Sequence, residues 1–176
     1  YHAEPAGLHV CVPGGTVTVT EELGAEAWAT LIEILRDPEW LAGNAEVGTL
    51  VVRETTRGAL NVLCPMVAND WLPQLEYLDL SKNQLARVYP RGIVKLARAL
   101  ATNTALTGIG LGHNNLGIPG ALAILHEVIS SDVSRLESVN LQANAIAPVA
   151  NDTSFVHLCG AVGCSVYVLT KLSLAN

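Results

Sequence analysis

The segment Gly108-Ile109-Gly110-Leu111-Gly112 is the part of this chain that comes nearest to a cofactor loop. A dinucleotide-binding turn needs glycines in GxGxxG order at a strand-to-helix junction, so that backbone can approach a pyrophosphate, with an acid about 20 residues further on for the ribose. Here the glycines alternate one for one with Ile109 and Leu111, which is the two-residue period of a strand with one apolar face. The glycines are then expected to face outward along a strand rather than to cradle phosphate. His126-Glu127 opens like a zinc-protease motif, but the position that needs the second histidine holds Ser130. His113, His126 and His157 fall at different phases of the chain's periodicity and do not converge. Cys159 and Cys164 have no matching Cys or His pair nearby to complete a metal site. No Ser, Cys or Lys is paired by spacing with a general base, and no motif fixes two carboxylates together. The expectation is a protein that is not an enzyme, with no cofactor, no metal and no small-molecule substrate.

What the chain does contain is repetition. LEYLDLSKNQL from Leu75, LTGIGLGHNNL from Leu106 and LESVNLQANAI from Leu136 fit one template, LxxLxLxxNxL, with Val139 and Ile146 as aliphatic stand-ins. Leu78 and Leu80 flank Asp79, the pattern of a short strand buried on one side. Asn83, Asn114 and Asn144 close each copy. Where the chain turns inward after the strand, backbone groups lose their ladder partners, and a buried asparagine has both donors and an acceptor to satisfy them. Two weaker copies flank these three. VGTLVVRET from Val47 has Thr55 where Asn is expected, and LTKLSLAN from Leu169 stops one residue before the Asn position. A unit ending there cannot cover its own apolar face, so the sequence reads as a piece of a longer protein.

Between the strands, Ile93, Leu96, Ala97 and Leu100 fall at helical spacing, as do Ala121, Ile124, Leu125 and Val128. The pattern predicts helices near 92–102 and 119–130, returning the chain to short parallel strands near 49–53, 77–81, 108–112, 138–142 and 171–173. The segment from Ala86 to Arg91 reads as a long turn, and a third helical segment lies around 153–162 beyond a loop at 147–152. A period near 30 with full helices resembles the ribonuclease-inhibitor-like class of leucine-rich repeats. Asn114-Asn115-Leu116-Gly117 followed by Gly120 carries the resemblance most closely, and it covers about Val47 to Asn176. It implies an α/β leucine-rich repeat solenoid, with parallel strands on the concave face and helices on the convex face.

Residues 1–46 form the other region. Leu8–Val12 and Thr16–Thr20 alternate like strands around Pro13-Gly14-Gly15, and Glu21–Arg36 reads as a helix with Ala27, Leu31, Ile34 and Leu35 on one side. Val17 and Val19 stand 33 residues before Leu50 and Val52. A degenerate repeat beginning near Val17 is the preferred reading; a hairpin capping the N-terminus is the alternative.

Composition narrows the function. Half the residues are hydrophobic (50%) but no apolar run reaches the length of a membrane span, so no membrane is expected. The four cysteines, Cys11, Cys64, Cys159 and Cys164, do not cluster as in disulfide-bonded extracellular caps, so free thiols and a cytoplasmic location are expected. Asn151-Asp152-Thr153 is a glycosylation sequon, relevant only to a secreted chain. Residues 1–88 hold twelve of the sixteen acids and five of the ten bases, which argues against nucleic acid and favours a basic partner for that half.

Function is then expected on a surface. The outward strand positions are Thr49, Val51 and Arg53; Tyr77, Asp79 and Ser81; Gly108, Gly110 and Gly112; Ser138, Asn140 and Gln142; and Lys171 and Ser173. They predict a partner-binding stripe whose middle is flat and open at the glycines, with Tyr77 as its hot spot. The resemblance implies a non-enzymatic protein-interaction module, since members of the class act as inhibitors, sensors, actin-filament regulators and scaffolds. It leaves two alternatives: a GTPase-activating protein of the Ran-activator type, or a structural subunit of a large assembly.

Overall fold

Strand β1 (Thr16–Val19) and strand β2 (Thr49–Val52) are built from alternating inward aliphatics and half-exposed Thr or Val, a composition that suits a pleated surface covered on one side. Three shorter strands follow: β3 (Tyr77–Asp79), β4 (Gly108–Gly110) and β5 (Ser138–Asn140), with β6 (Lys171–Ser173) last. The computed structural model describes residues 15–20, 23–43, 47–53, 57–88, 90–146 and 171–173. Its strands form a six-stranded sheet in the order of the chain, every neighbouring pair parallel. The molecule is therefore α/β. Val17 pairs with Leu50, Leu50 with Leu78, Leu78 with Ile109, Ile109 with Val139 and Val139 with Leu172. Inward aliphatics thus stack on inward aliphatics, and a slip of one residue would turn them to solvent.

Parallel neighbours need a crossover, and helices supply most of them. They are α1 (Ala25–Arg36), α2 (Pro38–Gly43), α3 (Arg57–Ala68), α4 (Leu85–Val88), α5 (Pro90–Thr102) and α6 (Gly117–Ile129). Leu60 and Leu63 of α3, Leu96 and Leu100 of α5, and Ile124 and Leu125 of α6 join Leu50, Leu78, Ile109 and Val139 in one core. Burying each such side chain contributes roughly 1.5–3 kcal/mol against exposure, so the core, rather than helix propensity, holds these elements in place.

Several expectations change in detail. The segment from Ala86 to Arg91 is not one long turn: Leu85–Val88 winds into α4, and α5 starts at Pro90, whose fixed φ and missing N–H suit a first helical turn. On α1 the inward face is Trp28, Leu31, Ile32 and Leu35, so Ala27 and Ile34 sit at its margin. Helix α3 interrupts its own pattern with Pro65 and was not marked by periodicity. At the N-terminal side, β1 lies parallel to β2 at the 33-residue offset of Val17 and Leu50. The first arm of the alternative hairpin, 8–12, lies outside the described residues, as do Thr55, the loop at 147–152 and the segment 153–162.

Candidate functional site

The strand face opposite the helices gathers the outward positions into two rows. Thr49, Tyr77, Gly108 and Ser138 occupy one row and Val51, Asp79, Gly110 and Asn140 the next, with Lys171 and Ser173 at the matching register positions of β6. Arg53, Ser81, Gly112 and Gln142 follow one residue past the strands' ends. Thr49, Val51, Arg53, Tyr77, Asp79, Ser81, Ser138 and Asn140 are half-buried and Gln142 is exposed.

The middle of this face is not open. Gly108, Gly110 and Gly112 are buried. A Cβ at Gly108 would lie 2.6 Å from Cδ2 and 2.9 Å from Cε2 of Tyr77. At Gly110 it would lie 2.6 Å from Oδ1 of Asp79 and 3.0 Å from the Tyr77 hydroxyl. The expectation of a flat glycine floor for a partner's backbone is therefore corrected. Glycines in a strand leave empty volume beside the backbone, and the aromatic ring of the adjacent strand fills it, burying apolar area that would otherwise stay wet. Tyr77 thus bridges two strands and is itself half-buried.

A charged pair frames the ring. Arg53 Nη2 donates to Asp79 Oδ2 at 2.7 Å, while Nη1 donates to the backbone oxygens of Val52 and Asp79, each at 3.3 Å. The other carboxylate oxygen accepts from the Ser81 N–H at 2.8 Å. Burial pushes the Asp79 carboxyl up, but the hydrogen bonds from Arg53 and Ser81 and the guanidinium charge outweigh it, so the group titrates below its ordinary value. Burial raises the Tyr77 phenol, the Asp79 charge adds to this, and Arg53 opposes it. The Arg53 and Asp79 side chains are 30% and 20% exposed, so the face shows a neutralised, braced pair rather than two free charges. Ser81 Oγ in turn accepts from the Gly112 N–H at 3.2 Å, tying β3's end to the next turn.

Below the stripe runs a ladder of asparagines. Asn83 donates to the carbonyls of Val52 and Leu80 at 2.7 and 2.8 Å; Asn114 to Leu80 and Leu111 at 2.8 and 2.9 Å; Asn144 to Leu111 and Leu141 at 2.8 and 2.9 Å. The side-chain oxygens of Asn114 and Asn144 reach back as well. Asn114 accepts from the N–H groups of Asn83 and Leu85, and Asn144 from those of Asn114 and Leu116. The residues on either side of each asparagine are left-handed: Lys82 and Gln84, His113 and Asn115, Ala143 and Ala145.

A second polar cluster, at the strands' other end, went unmarked in the sequence. Asn103 is buried; it donates to the Val67 carbonyl at 2.8 Å and to Asp70 Oδ1, and accepts from the N–H groups of Ala105 and Leu106. Asp70 also accepts from the Thr104 hydroxyl at 2.6 Å. The position occurs once, so no repetition could announce it.

No protein-family model matches the chain, and no curated protein matches it in sequence. Among solved structures it is similar to "Leiomodin-1 Actin-Binding Site 2 (ABS2)", with a TM-score of 0.60 and 13% sequence identity, over 85% of this chain and 79% of that one. The two share a fold.

Among the described residues, no helix is long and apolar enough to cross a membrane. The strand face presents an aromatic ring packed on Gly108, a neutralised ion pair and a border of Ser, Asn and Gln side chains able to donate and accept hydrogen bonds.

Proposed function

We propose that this chain is a leucine-rich repeat solenoid of the ribonuclease-inhibitor-like class that binds a protein partner through its concave strand face and catalyses no reaction. The observation that carries the reading is Tyr77 locked across Gly108 and flanked by the Arg53–Asp79 pair. An aromatic side chain already held in place loses little entropy on binding, which is the property of an interface anchor. The leiomodin-1 domain with which the fold is shared is described by its name as an actin-binding site, and that makes actin the first partner to test.

The experiment uses Val51→Arg and Gln142→Arg, which load bulk and charge onto half-buried and exposed outward positions without entering the core. Partners captured on the wild type, with purified filamentous actin run in parallel, are titrated against both variants after equal Tm has been shown. Loss of affinity of tenfold or more in both supports the concave face. Unchanged affinity in both removes it.

A further inference from the structure

The helical side carries a groove of its own. Between α3 and α5 lies a trough of about 480 Å³. Its floor is Leu60, Cys64 and Ala68 from α3 and Ala99 from α5, small or aliphatic groups that leave the two helices incompletely filled against each other. Lys95 and Arg98 form the wall on the α5 side and are exposed. Arg91, Lys95 and Arg98 follow one another at four- and three-residue spacing, so the cations form a stripe along one side of α5. Arg98 has only a loose 3.9 Å approach to Glu127, with its own side chain 72% exposed. Burial holds the Cys64 thiol at about 11 while the Lys95 charge pulls it the other way, so that ammonium's field reaches the groove floor.

Charge identifies the occupant. The whole chain carries a net charge of −6, yet α3 and α5 together contain Arg57, Arg91, Lys95 and Arg98 and no Asp or Glu. We propose that the α3–α5 groove is a second docking site, separate from the strand face, that takes an acidic amphipathic helix of a partner protein. Leu60 to Ala68 spans about 12 Å of α3 at the helical rise, which accommodates a little over two turns of a guest helix. Its apolar residues at i, i+3 or i+4 and i+7 would seat over Leu60, Cys64 and Ala99, and its Glu or Asp residues would meet Lys95 and Arg98. Nucleic acid fits less well, because the floor is apolar and offers no platform for bases.

The test is a display selection of helical peptides against the whole chain. The variants are Lys95→Glu/Arg98→Glu, which reverses the wall, and Ala68→Trp, which fills the trough; both are checked for unchanged Tm and far-ultraviolet dichroism. The expected outcome is a consensus with apolar residues at helical spacing flanked by Asp or Glu. Synthetic peptides of that consensus should bind at least tenfold more weakly to each variant and lose affinity as salt is raised. A neutral or basic consensus, no enrichment at all, or acidic peptides that bind both variants as they bind the wild type would overturn the proposal. Binding to phosphatidylglycerol vesicles that the charge reversal abolishes, with no peptide competing, would also overturn it and make a lipid surface the occupant.

Discussion

The Tyr77 ring lies across Gly108 on the neighbouring strand, so closely that a Cβ at position 108 would fall 2.6 Å from the ring. Real carbon atoms do not approach that far, so ring and side chain exclude one another. Gly108→Ala should displace the ring and cost about 1–3 kcal/mol. In a Tyr77→Ala background the same methyl has room. The double-mutant cycle should show a coupling of roughly 1 kcal/mol or more in urea midpoints at constant m. Additive effects would mean that the ring does not rest on Gly108.

The asparagine ladder is tested by contrast between adjacent residues. Asn114→Leu leaves the N–H groups of Asn83 and Leu85 without their acceptor and takes one of two donors from the carbonyls of Leu80 and Leu111, which keep Asn83 and Asn144. Each buried group left without a partner costs about 1–3 kcal/mol, so a total loss near 3 kcal/mol or above is expected. Asn115, its exposed neighbour, holds a φ of 54° that glycine adopts freely, so Asn115→Gly should change stability by no more than about 0.5 kcal/mol.

Ala143 and Ala145 hold φ of 52° and 56°, a region where an L side chain with a Cβ is strained by roughly 1–2 kcal/mol. Ala145 is exposed, so nothing is lost from the core on replacing it. Ala145→Gly should raise stability by about 0.5–1 kcal/mol after the extra entropy of the unfolded glycine is counted. A lower thermal midpoint would contradict the conformation.

The Arg53–Asp79 pair sets a pH dependence with a definite sign. The Asp79 carboxyl titrates lower in the folded chain than its ordinary 3.8. Its contribution is therefore present above that value and is lost as pH falls through the lower folded value. The stability difference between wild type and Asp79→Asn should be constant near neutrality and shrink on acidification, read as urea midpoints along a pH series. A difference that widens in acid would show the carboxyl to be raised instead.

The strands were legible because one fact recurs. Inward aliphatics at Leu50, Leu78, Ile109 and Val139 sit at nearly constant spacing, and the sheet pairs those same residues. The ladder asparagines were legible for the same reason. Helix α3 was not, because Pro65 interrupts the pattern within it and the Thr55 departure breaks the pattern just before it. The placement of Tyr77 was not legible either. Gly108, Gly110 and Gly112 mark missing side chains, but which neighbour fills the space depends on a strand 31 residues away and on the direction its ring turns. The Arg53–Asp79 pair has the same character: both residues stand out as outward-facing, and only the sheet brings them to 2.7 Å.

Each ladder asparagine grips the strand before its own with its amide nitrogen, and Asn114 and Asn144 grip the preceding turn with their oxygens. The turns on that side are thus cut to one length, since an added residue in any of them would pull two rungs out of step. The connections on the helical side are not held to one build: α4 and α5 together form the crossover before β4, whereas α6 alone forms the one before β5. Insertions, tags and grafted loops should be accepted there, at the α4–α5 junction, and rejected between residues 80 and 85, 111 and 116, or 141 and 146, which makes the ladder a ruler that decides where this chain can change in length.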